Sequence, residues 1–168
     1  FGTVSVSVLL LDSNGSGLSG GVVSYYSGGW KEFGVTDVNG SVVGELLPRR
    51  FSFRMSFDGA SVRKAQDVGV DPVVVFSTVN VSVVFVDSSG VGVSGGLVEY
   101  YSGGWKDLGV TNGSGVVLGE LLPRRYSFRL SYDGSSVRKR QDVGLDSVVV
   151  FGTVSVSVLL LDSNGSGL

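Results

Sequence analysis

The sequence predicts an all-β protein: tandem seven-strand antiparallel β-sandwiches joined by continuous strands without linkers. Three observations carry this. Apolar and polar residues alternate with a period of two along most of the chain, and no segment shows a helical period. The sequence repeats itself without a gap every 75 residues. Finally, Asp71–Asp87 reads DPVVVFSTVNVSVVFVD; from Val73 to Val86 it holds no Gly and no charge, and ten of fourteen residues are Val or Phe. At roughly 3.3 Å per residue such a strand would reach about 45 Å, too long for one small sandwich. It is therefore read as the last strand of one unit running into the first of the next.

Within the first repeat the strands follow in order. Thr3–Leu11 sets Val4, Val6, Val8 and Leu10 on one face and Ser5 and Ser7 on the other. Asp12–Gly20 is turn chemistry, because Asn-Gly and Gly-rich stretches supply positive φ. Val22–Ser27 and Trp30–Thr36 form a hairpin about Ser27-Gly28-Gly29, and the turn Asp37-Val38-Asn39-Gly40 leads into Val42–Leu46. After Pro48 comes FSFRMSF at 51–57, with Phe51, Phe53, Met55 and Phe57 inward and Ser52, Arg54 and Ser56 outward. Asp58-Gly59 turns the chain into Val62–Asp67, and Pro72–Phe76 closes the unit. Val73–Phe76 is apolar on both faces, as expected where a neighbouring unit covers the second side.

The repeat maps Asp12 onto Asp87, Trp30 onto Trp105, Glu45 onto Glu120 and Phe76 onto Phe151. Residues 151–168 reproduce residues 1–18 without a change. The expected division is 1–76 for one unit, 77–151 for the second, and 152–168 for the first strand of a third, placed to complete the second by strand addition. Phe76, Ser77, Phe151 and Gly152 mark the inter-repeat junctions. A chain that begins at Phe1 and stops one strand into a unit reads as an excerpt of a longer array.

Composition narrows the function. Of 168 residues, 42% are hydrophobic and 17% charged, and the formal charge is -2 without a block of one sign. Nucleic acid and anionic membrane are thus disfavoured as partners, and no apolar run reaches the ~20 residues of a membrane-spanning helix. With neither Cys nor His, thiolate metal sites, disulfides and a histidine-activated nucleophile have no residues to use. No enzyme activity and no cofactor is expected.

Thr36-Asp37-Val38-Asn39-Gly40, Leu47-Pro48, Phe51-Ser52-Phe53 and Gly59 together resemble the pattern of prealbumin-like, immunoglobulin-like seven-strand sandwiches. These include the carboxypeptidase regulatory-like and collagen-adhesin B-type tandem repeats of long bacterial secreted and cell-surface proteins. The resemblance covers about half of each unit. It departs at Arg49-Arg50, where the pattern has Gly before the aromatic strand, and at Asn112-Gly113-Ser114-Gly115 in the second repeat. Adhesin sandwiches of this kind often carry a Lys–Asn isopeptide bond between first and last strands. Here the first strand has no Lys and the last no Asn, so that cross-link is not expected.

Several residues are candidates for binding. Tyr26 and Trp30, and their copies Tyr101 and Trp105, fall on the polar face beside a tight hairpin, where they could pack on a neighbouring domain or chain or stack on a sugar. Asn14, Asn39, Asn80, Asn112 and Asn164 each stand two residues before Ser, so all five are candidate glycosylation sites. Asp12-Ser13-Asn14-Gly15 and Asp37-Val38-Asn39-Gly40 resemble the opening of a calcium loop but lack its distal carboxylate, which favours turn chemistry. Arg49, Arg50, Arg54, Arg63 and Lys64 are interleaved with Asp58 and Asp67, the pattern of a solvated, salt-bridged face.

Two functions fit. One is a structural tandem-repeat protein: a rigid extracellular filament, stalk or matrix fibre whose partners are further copies of the repeat. The other is a multivalent adhesin or carbohydrate-binding surface array directed at surface glycans. Both place the chain outside the cell or on its surface.

Overall fold

Alternation dictates which side chains are swallowed. In the computed structural model, which describes all 168 residues, Val6, Val8 and Leu10 of β1 (Val4–Leu11) are fully buried, as are Phe53 and Met55 of β5 (Arg50–Phe57). The first unit adds β2 (Val22–Tyr26), β3 (Trp30–Val35), β4 (Ser41–Leu46), β6 (Ala60–Asp67) and β7 (Val73–Ser77). The second holds β8 (Val79–Val86), β9 (Leu97–Tyr101), β10 (Trp105–Val110), β11 (Val116–Leu121), β12 (Arg125–Tyr132), β13 (Ser135–Asp142) and β14 (Val148–Gly152). There is no helix.

Each unit is a sandwich of a three-stranded sheet, ordered β4-β1-β7 or β11-β8-β14, and a four-stranded sheet, ordered β3-β2-β5-β6 or β10-β9-β12-β13. The two inner faces meet in cores led by Val6, Val8, Phe53 and Val74 in one unit and Val81, Val83, Phe128 and Val149 in the other. One pairing departs from an all-antiparallel arrangement. β7 runs parallel to β1, with Ser7 opposite Val73 and Leu11 opposite Ser77, and β14 runs parallel to β8 in the same way. Alternation records which face a residue occupies but not the direction of the neighbouring strand, so this pairing is invisible in the pattern.

The turns are held by side-chain oxygens. Asp12 Oδ1 accepts from the amides of Asn14 and Ser16, both at 2.9 Å, and Asp37 Oδ1 accepts from Asn39 and Ser41 at 2.9 and 3.1 Å. Asn112, standing where the first unit has Asp37, makes the same two bonds to Ser114 and Val116 at 2.9 and 3.0 Å. An amide thus replaces the carboxylate without altering the turn, so the turn requires an acceptor rather than a charge. Those amides, Ser41 first, hold the Asp37 carboxyl below the usual carboxylate range.

Two expectations are corrected. No neighbour covers the outer face of β7: Val73 is exposed and Val75 only half-buried. The edge is sealed instead by side chains of its own unit, with Gln66 Nε2 donating to the carbonyls of Asp71 and Val73 at 2.8 and 2.7 Å. Lys64 Nζ adds a bond to the Val75 carbonyl at 3.3 Å, and Gln141 and Lys139 repeat the arrangement. The last residues do not complete the second unit either. Thr153 donates its amide to the Val86 carbonyl at 3.0 Å, as Thr78 does to Leu11, but Val154–Leu159 pair with no strand; beyond them only the turn forms, with Leu161 bridging Gly167.

Candidate functional site: the junction between the units

The connection from β7 to β8 is a single residue. Thr78, 3% exposed, donates its amide to the Leu11 carbonyl at 2.9 Å, extending the parallel β1–β7 ladder to the start of the second unit. The long apolar run is therefore two strands meeting at Thr78, two residues beyond Phe76. Phe76 and Phe151 lie in the cores, whereas Ser77 and Gly152 are the exposed last residues of β7 and β14.

Glu120 of β11 fastens one side of this junction. Its Oε2 accepts the Thr78 hydroxyl at 2.6 Å and the Ser13 amide at 3.3 Å, and its Oε1 accepts the Ser13 hydroxyl. Ser13 belongs to the first turn of unit 1, so one carboxylate joins both units and the connector.

The other fastening is Asp58, in the β5–β6 turn, held in the left-handed region at φ 51°. Its carboxylate accepts from the Tyr100 hydroxyl and from Lys106 Nζ at 2.6 Å, and its carbonyl accepts from the Ser102 hydroxyl at 2.6 Å. Burial, and then the bond to Asp58 and its charge, push the Tyr100 phenol well above its ordinary range. Tyr126, packed edge-on to Tyr100 at 6.0 Å, is pushed up to about 12, chiefly by burial. Gly59 permits the approach: a Cβ there would lie 2.3 Å from the Ser102 carbonyl oxygen.

The two copies of each position report what the neighbouring unit covers. Leu122, which faces unit 1, is 1% exposed, whereas its counterpart Leu47 in unit 1 is 55% exposed. Tyr100 and Ser102 are buried where Tyr25 and Ser27 are half-buried, and Ala60 is buried where Ser135 is open. Sequence reasoning missed Asp58, Tyr100, Ser102, Lys106 and Glu120. The available signal was Leu47 and Leu122, each an apolar residue that follows an inward Leu and so breaks the alternation.

The aromatic pairs lie on the outer face of the four-stranded sheets. Tyr26 and Trp30 meet edge to face at 5.6 Å, and Tyr101 and Trp105 at 5.5 Å. Each indole is overlaid by two arginines of its own sheet: Arg54 at 4.4 Å and Arg63 at 5.1 Å over Trp30, Arg129 at 4.2 Å and Arg138 at 5.2 Å over Trp105. Arg129 is further fixed by Glu99 at 2.7 Å. The contact across the junction is made by the opposite face of the same hairpin, through Tyr100 and Ser102, and by Lys106. A shallow groove of about 360 Å³ runs beside Tyr26, Trp30, Arg63 and Lys64.

All five candidate asparagines are exposed. Asn14, Asn39, Asn112 and Asn164 sit in turns; Asn80 lies on β8 beside a cleft of about 530 Å³ between the units, bordered also by Asp12, Ser13, Thr78 and Leu145.

No protein-family profile and no curated protein sequence matches the chain. Among solved structures it is similar to a streptococcal ancillary pilin (16% identity, 92% of this chain and 62% of that one, TM-score 0.36). It is also similar to a mutant of the shaft pilin SpaA of Lactobacillus rhamnosus GG (11% identity, 94% of this chain and all of that one, TM-score 0.36). A third is BcpA, the major pilin subunit of Bacillus cereus (9% identity, 90% of this chain and 99% of that one, TM-score 0.31). The chain spans less than two thirds of the streptococcal pilin. At such identities and scores the likeness carries no argument of its own.

Proposed function

We propose that the chain is a structural tandem-repeat protein, a length of rigid filament, stalk or matrix fibre outside the cell or on its surface, whose partners are further copies of the repeat. The observation that carries this reading is the one-residue junction. Thr78 is buried and hydrogen-bonded, Glu120 and Asp58 fasten the two units on either side of the junction, and no linker is left in which a hinge could form. Because a sandwich of this size is marginal alone, each unit also gains stability from its neighbour. Small-angle scattering tests the reading. The wild-type chain should give one narrow distribution of inter-unit distances, and a Gly-Ser-Gly-Ser insertion after Thr78 should broaden it. Equal breadth in both would show that the junction does not hold the units.

A second reading has its own support. The groove beside Trp30, with an aromatic floor and a rim of Arg63 and Lys64, suits an anionic sugar polymer engaged weakly at each repeat. Retention on an acidic polysaccharide column, lost on Trp30→Ala and Trp105→Ala together, is its expected signature.

A further inference from the structure

We infer that two copies of this chain associate side by side through the edges of their three-stranded sheets, β4 running antiparallel to the partner's β4 and β11 to its β11. The inference rests on the reading that the partners of the repeat are further copies of itself, and it names the lateral contact between them.

Each three-stranded sheet has two edges, and only one is guarded. Outward carbonyls of β7 are taken by Gln66 and Lys64, and those of β14 by Gln141 and Lys139. The four-stranded sheets are guarded differently. β6 and β13 are lined with Arg and Lys, and β3 and β10 are bulged at Phe33 and Leu108 close to Lys31 and Lys106. Charges and bulges of this kind keep sheet edges from pairing. β4 and β11 have no such guard. Each is hydrogen-bonded to one strand only, β1 or β8, in an unbroken register, and each carries a single charge. Val43 is 60% exposed and Leu118 59%. Unit 2 has unit 1 packed before it and still leaves Leu118 as open as Val43, so the edge does not depend on what adjoins a unit end to end.

The backbone of this edge is unpaired as well. A bond from the Leu10 amide to the Gly40 carbonyl, at 2.8 Å, fixes the phase of the ladder: Val42, Gly44 and Leu46 bond to β1, and Val43 and Glu45 point away. Ser41 points away too, but its amide donates to Asp37 Oδ1 and its carbonyl accepts from the Asp37 amide. In unit 2, Phe85 donates to Gly115 at 2.7 Å, so Leu118 and Glu120 point away, while Val116 is engaged by Asn112. Two residues astride a glycine are thus left open on each edge, and such an edge is self-complementary. With a two-fold axis at Gly44, Val43 faces the partner's Glu45 and Glu45 faces the partner's Val43, and these pairs exchange about four backbone bonds. So few bonds do not offset the ordering of a flexible peptide, whereas a strand already folded in a second copy needs no ordering.

Hydrogen exchange and sedimentation of the full chain test this. In dilute solution the amides of Val43, Glu45, Leu118 and Glu120 should exchange fast. At high concentration they should slow by about tenfold or more, the Val75 amide on the guarded edge should not change, and the sedimenting mass should rise above that of one chain. Val43→Glu with Leu118→Glu sets like charges across both seams and should keep the chain single at every concentration. Val43→Lys with Leu118→Lys sets opposite charges there and should associate at least as well as wild type. Both positions are exposed in the single chain, so both variants keep the wild-type fold, which circular dichroism checks. The synthetic peptide SVVGEL should leave the four amides fast. Edge pairing is overturned if those amides exchange alike at low and high concentration, or if the Glu and Lys variants associate equally. It is also overturned if the peptide slows the amides and concentration does not. The filament reading, tested inside one chain at Thr78, stands or falls separately.

Discussion

Replacing Asp58 by Ala should loosen the two units, and the molecule supplies its own control. Asp133 occupies the same turn in the second unit at nearly the same φ, with no partner in the chain. Any strain or turn propensity altered by the substitution is therefore common to both sites. At Asp58 alone, the change also leaves the Tyr100 hydroxyl without its acceptor, which costs about 1–3 kcal/mol in a buried residue. The Lys106 ion pair, more than a third exposed on both sides, adds only ~0.2–1 kcal/mol. Asp58→Ala should thus be less stable than Asp133→Ala by about 2 kcal/mol, most of it from the tyrosine. Urea unfolding at low protein concentration, followed by tryptophan fluorescence with one indole per unit, measures the difference. Equal midpoints and slopes for the two variants would mean that the junction contributes nothing, and the reasoning from its geometry would fail.

Other outcomes follow from the same structure. Gly59→Ala should destabilise more than Gly134→Ala: φ is +76° and +75°, yet only the first Cβ meets the Ser102 carbonyl, and urea midpoints will rank them. Tyr100 and Tyr126 have folded pKa values above the unfolded phenol's ~10, so their contribution to stability is complete below about pH 10. It is lost as pH rises through about 12 for Tyr126 and beyond that for Tyr100; tyrosinate absorbance should register both late titrations, and Asp58→Asn should bring Tyr100 down. Arg129→Ala should cost about 2 kcal/mol, combining a half-buried charged hydrogen bond with the stack on Trp105. Arg54→Ala should cost about 1 kcal/mol or less, because Ser24 stands where the second unit has Glu99. Thermal unfolding of the two variants checks this.

Most of the fold was legible because burial in a sandwich is a period-two code. FSFRMSF places Phe53 and Met55 in the core as directly as any measurement, and the observed strand ends fall within two residues of those read from alternation. Tyr26 and Trp30 were also placed on the correct face. The arginines over Trp30 were not foreseen, because register between β2, β3, β5 and β6 decides which outward residues meet, and alternation says nothing about register. The junction was the least legible part. Asp58-Gly59 looks like any hairpin turn, and its partners lie 42 to 48 residues away in the next repeat. Comparing the copies hides it further, since Tyr25 equals Tyr100 and Lys31 equals Lys106 while only one of each pair has a neighbour. Ala60 against Ser135 is the trace that remains.

The parallel pairing of β1 with β7 has a mechanical consequence. The chain enters each sandwich at the start of β1 and leaves at the end of β7, on opposite sides of the five paired positions from Ser7–Val73 to Leu11–Ser77. Tension applied along the chain therefore drives the two strands past each other in shear, and their hydrogen bonds must yield together. A hairpin pulled from its open end would instead unzip one bond at a time. Every unit that shares this topology presents its tougher direction to the load.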